Sequence, residues 1–235
     1  MKNARGNLVA LLVCLVVRVA DAQDCGTDLN GLIQGDCWLA AGPFRNPAGC
    51  RGTSGNSIAP SYIGCEYPAV GDTFRGGYDE TVAATSGLTD NGENSLAGEP
   101  VWFAWNDGSN DGDQNFLTGP GGNPGEDHMV WLATWVEYSG EGSTDILLCV
   151  GSDDSTQVWI NDQVVFSNFG VCRAVATCQE VVPVSLPGPG LYCIRAGTWQ
   201  GGGGWGFRLG LQDAGGTPIL SEDPEWTFHG RDRPG

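Results

Sequence analysis

Residues 130–212 form a series of short runs rich in β-branched and aromatic side chains, separated by glycine, asparagine and proline. Helical periodicity nowhere extends beyond two turns. The 38 glycines and nine tryptophans of the chain are typical of many turns that join short aromatic strands. The pattern predicts an all-β domain, and the absence of an internal repeat indicates a single β-sandwich.

Nine segments have the composition of strands. They are residues 37–44, 101–105, 130–138, 145–150, 157–160, 163–166, 181–186, 191–198 and 205–212. Pro183 lies inside one of them and predicts an edge strand or a bulge, since proline donates no backbone hydrogen bond. The tryptophans predicted to lie in the core are Trp38, Trp131, Trp159 and Trp205.

Asn161 and Asp162 separate two of the predicted strands, and they predict a tight hairpin because both residue types tolerate positive φ. The register of this hairpin places Trp159 opposite Val164, and Val158 opposite Val165. Both faces are then largely apolar, so we expect the hairpin to be buried between layers.

The first 22 residues have the pattern of a secretory signal peptide. A short basic start is followed by the apolar run 8–17 and by an A-x-A site at residues 20–22, which predicts cleavage before Gln23. The apolar run is too short to span a bilayer, which takes about 20 residues. The sequence therefore predicts a secreted protein without membrane insertion.

Eight cysteines follow the predicted leader, and an even number in a secreted chain indicates four disulfides. They are Cys25, Cys37, Cys50, Cys65, Cys149, Cys172, Cys178 and Cys193. Eight cysteines allow many pairings, and the separations favour Cys25–Cys37, Cys50–Cys65, Cys172–Cys178 and Cys149–Cys193. Zinc binding is disfavoured because the chain contains no CxxC pair.

The chain is strongly acidic, with 28 Asp and Glu against 11 Lys and Arg and a net charge of −17. Its single lysine, Lys2, lies in the predicted leader. Such a surface repels nucleic acid and anionic lipid and favours cations. Two interpretations remain open: a soluble or salt-adapted surface, and calcium sites made of clustered aspartates.

Four sequence stretches, in order, resemble jelly-roll modules of secreted bacterial proteins. They are W-L-A-A-G-P-F at 38–44, G-S-D-D at 151–154, V-W-I-N at 158–161 and G-G-W-G-F-R-L at 203–209. The chain is thus similar, over residues 35–213, to galactose-binding-domain-like and protective-antigen-type modules. The resemblance implies a jelly-roll β-sandwich over residues 23–213 with a long decorated N-terminal half. Residues 214–235 are expected to be a C-terminal tail or linker.

The same resemblance implies a calcium site at an adjacent pair of aspartates. In adhesin lectins of the protective-antigen type such a pair chelates a calcium ion that holds sugar hydroxyls. Carried over to this chain, the metal ligands are Asp153 and Asp154, and Asn161 or Asn168 supplies a side-chain carbonyl. The alternative is that residues 152–155 form a turn in which the Asp side chains cap backbone N–H groups.

A second acidic segment, D-G-S-N-D-G-D at 107–113, partly matches a calcium-binding loop. Asp107, Asp111 and Asp113 are the metal ligands under this hypothesis. The twelfth position holds Thr118 rather than the expected glutamate, so an acidic loop between strands is the alternative.

Aromatic rings can stack on the apolar faces of sugars, and Trp199, which precedes the glycine run 201–204, is the predicted platform. Catalytic motifs are lacking; Glu126, Asp127 and His128, with His229, are the only residues that suggest acid–base chemistry. The sequence therefore predicts a non-catalytic binding module for an extracellular glycan or cell-surface polymer. The alternative is a structural or adhesive surface protein that binds protein partners, and an enzyme ranks third.

Overall fold

The computed structural model describes residues 25–34, 37–45, 103–104, 128–201 and 206–230. Within these residues all regular structure is strand, as the sequence predicts. The ten strands are β1 (Leu39–Arg45), β2 (Phe103–Ala104), β3 (His128–Tyr138), β4 (Thr144–Asp153), β5 (Ser155–Ile160), β6 (Gln163–Ser167), β7 (Glu180–Leu186), β8 (Gly190–Gln200), β9 (Gly206–Asp213) and β10 (Trp226–Gly230). In the described part of the chain no helix is long and apolar enough to cross a membrane.

The strands form two antiparallel sheets that pack as a β-sandwich. The seven-stranded sheet has the order β2-β1-β3-β8-β5-β6, and β10 pairs with β3 beyond the end of β1. The three-stranded sheet has the order β7-β4-β9. β3 and β8 pair along their full length, from His128 opposite Gln200 to Tyr138 opposite Gly190. This long pair is the centre of the larger sheet.

The main core lies between the two sheets. Alternate residues of β3, such as Val130 and Leu132, are buried there with Leu148 and Val150 of β4, as expected for strands whose side chains alternate between faces. The other face of the seven-stranded sheet carries a second buried cluster. Its members are Leu39, Ala41, Trp131, Ala133, Trp135, Trp159 and Trp199. The larger sheet is therefore apolar on both faces.

The predicted tryptophan core is confirmed for Trp38, Trp131 and Trp159, which are all buried; Trp205 lies outside the described residues. Pro183 is in β7, an edge strand of the smaller sheet, as predicted.

The predicted hairpin is present between β5 and β6. Asn161 has a φ of 52°, and Trp159 faces Val164, as predicted. The rest of the predicted register is wrong, because the pairing shifts and Val158 faces Phe166. The predicted burial is confirmed for β5, whose six residues are all buried, and is wrong for β6, an edge strand in which Val164 is 52% exposed.

The structure corrects the expected tail. Residues 226–230 form β10, which pairs with β3, and Trp226 and Phe228 are buried in the core. The strand is hard to recognise in the sequence because only two apolar residues alternate, between charged, proline and glycine residues. Residues 231–235 lie outside the described part.

Two disulfides join described cysteines. Cys25–Cys37 is confirmed, with a Cα–Cα distance of 5.1 Å. Cys149 pairs with Cys178, so the predicted pairs Cys172–Cys178 and Cys149–Cys193 are wrong. Cys149 and Cys193 belong to different sheets and point to the opposite outer faces of the sandwich, too far apart for a disulfide. Cys172 is disulfide-bonded too, though not to Cys178, and Cys50 and Cys65 lie outside the described residues.

Candidate functional site

The chain crosses from the smaller sheet to the larger one at Asp153 and Asp154. Asp153 ends β4, Ser155 begins β5, and the peptide bond between the two aspartates is cis. Both aspartates are largely buried, with 9% and 5% of their surface exposed. The crossover therefore holds two adjacent carboxyl groups at one end of the sandwich.

The carboxylate of Asp154 is fixed by backbone N–H donors from two distant parts of the chain. Arg173 N donates to Oδ1 at 2.8 Å, and Gly201 N donates to Oδ2 at 2.9 Å. The backbone N of Asp154 donates to the Trp199 carbonyl oxygen at 3.0 Å. Hydrogen bonds of this kind fix the orientation of a carboxylate.

The neighbouring carboxyl group, that of Asp153, has a raised pKa. Burial, together with the Asp154 charge and a hydrogen bond to the Asp154 side chain, raises the pKa of Asp153 to about 7, although a hydrogen bond from the Val175 backbone acts in the opposite direction. In the described part of the chain no basic side chain lies within salt-bridge distance of either carboxylate. The described basic side chains therefore form no direct ion pair with the two carboxylates.

Residues 168–179, which we call the strap, connect the edge strands of the two sheets, β6 and β7. Near one end of the strap Phe169 packs against Trp199, with ring centroids 5.2 Å apart, on the outer face of the larger sheet. At the other end Cys178 is bonded to Cys149 on the outer face of the smaller sheet. The middle of the strap lies beside the aspartate pair, where the Arg173 and Val175 backbones contact the carboxylates.

Two glycines allow the strap to lie this close. A β-carbon on Gly151 would overlap the carbonyl oxygen of Ala176, and a β-carbon on Gly206 would lie 2.7 Å from Cγ1 of Val175. Gly206 pairs with Asp153 in the sheet. Both glycines therefore flank the acidic site, and their lack of a side chain sets the position of the strap.

Of the two predicted asparagines, the structure places one beside the pair. The Nδ2 of Asn168 donates to Ser152 Oγ at 3.3 Å, and its Oδ1 accepts from the backbone N of Thr156. Asn161 lies at the other end of β5, where its Oδ1 accepts from Cys193 N at 3.1 Å. The length of β5 separates it from Asp154 by about 20 Å, so the predicted role of Asn161 at this site is wrong.

The predicted sugar platform is also wrong. Trp199 is completely buried, because it lies on the face of β8 that carries the second aromatic cluster, under Phe169 of the strap. Its ring supports the strap instead. The sequence could not reveal this, since it does not show which face of the sheet the strap covers.

A calcium ion needs six to eight oxygen ligands. Among the described residues no group of three or more His, Cys, Asp or Glu could hold a metal ion, so Asp153 and Asp154 supply only part of such a ligand set. Carboxylate oxygens are nevertheless the ligand type that a hard cation such as calcium prefers. The other predicted ligands, Asp107, Asp111 and Asp113, lie outside the described residues.

The alternative prediction, a local turn capped by the Asp side chains, is not what the structure shows for Asp154. Its carboxylate accepts from residues 19 and 47 positions away in the sequence. Arg173 was not predicted at this site. Gly151, Gly201 and Gly206 lie in quoted segments, but their contacts were not predicted because they depend on the path of the strap and of β8.

Of the suggested acid–base residues, the structure describes the side chain of His229, which lies away from this site. The Nε2 of His229 lies 2.8 Å from Oε2 of Glu137, and the two residues are on β10 and on the part of β3 farthest from Gln200. Glu126, Asp127 and the side chain of His128 lie outside the described part of the chain.

No protein-family model matches the sequence, and no curated protein matches it. Among solved structures, the chain is similar to a PA14 sugar-binding domain from an RTX adhesin (20% identity, TM-score 0.34, 44% of this chain and 55% of that one). It is also similar to the PA14 domain of the antifreeze protein MpAFP (24%, 0.33, 49% and 53%). The chain spans about half the length of these two.

A third similar structure is a subtype-switched epithelial adhesin A domain from Candida glabrata, solved with β-lactose (13% identity, TM-score 0.36, 87% of this chain and 92% of that one). The first of the three is described as sugar-binding, and the third was solved with a bound sugar. At such TM-scores the likeness assigns neither a family nor a ligand to this chain.

Proposed function

We propose that the chain is a secreted, non-catalytic carbohydrate-binding module in which Asp153 and Asp154 hold a Ca²⁺ ion. One observation carries the proposal: two adjacent, largely buried carboxyl groups are oriented by backbone N–H groups, and no basic side chain in the described residues forms an ion pair with them. Like charges held this close are unfavourable unless a proton or a cation is shared. A shared proton removes this cost below about pH 7, the pKa of Asp153, and a cation can remove it at higher pH.

When bound, calcium would supply coordination positions that sugar hydroxyls can occupy beside the two carboxylates. This chain's own residues hold those carboxylates in place. Asn168 supports the site through Ser152 and Thr156 rather than by presenting a free side-chain oxygen. The ligand class proposed is an extracellular glycan or cell-surface polymer.

A non-catalytic role is favoured by the spacing of the carboxyl groups. Glycosidases place their two carboxyl groups about 5–5.5 Å apart in retaining enzymes and about 6.5–9.5 Å apart in inverting enzymes. Asp153 and Asp154 share a side-chain hydrogen bond, which is closer than either mechanism needs. We therefore expect no hydrolysis of chromogenic glycosides.

Secretion and the jelly-roll connectivity belong to the same proposal. Disulfides form in oxidising compartments, and described cysteines form the bridges Cys25–Cys37 and Cys149–Cys178, which supports export through the leader at 1–22. The two packed antiparallel sheets support a jelly-roll module.

The test is a glycan array probed with and without a chelator, combined with calcium titration calorimetry. The expected result is glycan binding that disappears with chelator, and calcium binding that is lost in Asp153→Asn and Asp154→Asn. Asp145→Asn is the matched control, because Asp145 lies on the same strand and is exposed, where it accepts from Ser185. A protein that binds no glycan in either condition would overturn the proposal and favour a protein-binding surface protein.

A further inference from the structure

Arg173 of the strap contacts the aspartate site with both its backbone and its side chain. Its backbone N donates to Asp154 Oδ1 at 2.8 Å. Its guanidinium donates through Nε to the Ser152 carbonyl oxygen and through Nη2 to Ser152 Oγ, each at 3.3 Å. Arg173 therefore touches the chain on both sides of Asp153.

The remaining guanidinium nitrogen connects the strap to the smaller sheet. Arg173 Nη1 donates to Glu180 Oε1 at 2.7 Å, where β7 begins. The Arg173 side chain is only 22% exposed. Three nitrogens of one planar group thus join the strap, the end of β4 and the start of β7, and a single ammonium cannot reproduce this arrangement.

Hydrogen bonds of two other strap residues also hold the strap against the chain beside the aspartates. Gln179 accepts from Ser152 N at 2.8 Å and donates to the Ala174 carbonyl oxygen at 2.7 Å. Val171 N donates to Ser155 Oγ at 3.2 Å. The strap is consequently fastened to residues 152 and 155, immediately before and after the two aspartates.

We propose that Arg173 is the positioning residue of the aspartate pair: its guanidinium fastens the strap so that its backbone N–H holds the Asp154 carboxylate in the orientation that receives a cation. The inference rests on the proposed function for the identity of the ligand. It assigns Arg173 a role through geometry, because its guanidinium contacts Ser152 and Glu180 rather than the carboxylates. Arg173 is also outside the motifs that suggested the calcium site.

The test compares Arg173→Lys and Arg173→Ala with the parent in two measurements. Calcium titration calorimetry is expected to show an affinity reduced by about 10-fold or more in both variants, as for other residues that orient metal ligands. Hydrogen exchange in the presence of chelator is expected to show faster exchange of the amides in residues 171–175, with the amides of β3 and β8 unchanged. Arg208→Lys is the matched control, since Arg208 reaches the strap at Thr177 instead, and it should match the parent.

Two results would overturn the proposal. One is parent-like calcium affinity in both Arg173 variants; the other is exchange that increases throughout the sheets, which would indicate general destabilisation. If the parent binds no calcium, the proposed function fails, but the exchange measurement still decides whether Arg173 holds the strap. In that case unchanged exchange of residues 171–175 in both variants would refute the positioning role as well.

Discussion

Asp153 is the residue whose environment departs most clearly from that of an ordinary surface aspartate. Burial raises its pKa to about 7, against about 3.9 in an unfolded chain. The folded chain therefore binds the Asp153 proton more tightly than the unfolded chain does. The resulting contribution to stability is fully present below about pH 3.9 and is lost as the pH rises through about 7.

We accordingly expect the protein in chelator to melt at a higher temperature near pH 5.5 than near pH 8. Asp153→Asn should reduce this difference, because the amide does not titrate, and it should raise the melting temperature near pH 8. Differential scanning calorimetry at the two pH values measures both effects. Asp145→Asn serves as the control; if the Asp153 and Asp145 variants keep the same pH dependence, the assignment to Asp153 is wrong.

Gly151 offers a second test at the same scale. In Gly151→Ala the new methyl group meets the Ala176 carbonyl oxygen, so the strap must move away from the aspartates. We expect weaker calcium binding, by about 10-fold if the Arg173 contact to Asp154 is disturbed, measured by calorimetry. Gly188→Ala is the control, since its β-carbon would have no neighbour closer than 3.9 Å; equal losses in the two variants would contradict the explanation.

At the scale of elements, the strap is the segment on which the site depends, and the Cys149–Cys178 disulfide fixes it to β4. The bridge closes a sequence separation of 29 residues, for which the chain-entropy relation gives a stabilisation of about 3–4 kcal/mol. The disulfide therefore stabilises the fold as a whole and also holds the end of the strap against β4.

The double variant Cys149→Ala/Cys178→Ala is expected to lower the melting temperature and to increase hydrogen exchange in residues 175–179 beyond the increase in β4. The Cys25→Ala/Cys37→Ala variant is the comparison, because it removes a bridge far from the strap. We expect that variant to lose stability while it retains calcium affinity. Loss of affinity in both variants to the same extent would show that the strap bridge has no local role.

The elements also show which parts of the structure could be predicted. Long runs such as β3 and β8 were predicted with nearly correct bounds, because their β-branched and aromatic residues continue over many positions. β10 was missed because two alternating aromatics do not distinguish a strand from a tail. The pairing of Cys149 was missed since disulfide partners depend on which faces the chain brings together, and the sequence separation of cysteines does not report this.

The site itself could be predicted only in part. Asp153 and Asp154 were selected from a motif and Asn168 by residue type, and the structure places the three together. Trp199 was selected by residue type and Asn161 lies in a matched motif, but burial and strand length exclude both from the site. Arg173 had no sequence signal, because its contacts exist only after the strap crosses the end of the sandwich.

At the scale of the whole molecule, the net charge of −17 acts on every ligand that approaches. Repulsion between like charges lowers the affinity for anionic glycans, and salt screens it over about 10 Å at 0.1 M ionic strength. We expect a neutral glycan to bind more tightly than its sialylated or sulfated form at low salt, with the difference decreasing at high salt. Calorimetry at two salt concentrations measures this, and a salt-independent difference would exclude the electrostatic explanation.

The two ends of the described chain meet far from the aspartate pair. Gly230 lies against Cys25 and Cys37, next to Trp135 of β3, whereas the pair is near the end of β8 that faces His128. On β3, the position of the chain ends (Trp135) and the position of the pair (His128) are seven residues apart, which is about 24 Å in an extended strand. If the protein were attached to a surface through residues near either end, the aspartate pair would therefore lie on the side facing away from that surface. It would be accessible to a second surface opposite the first.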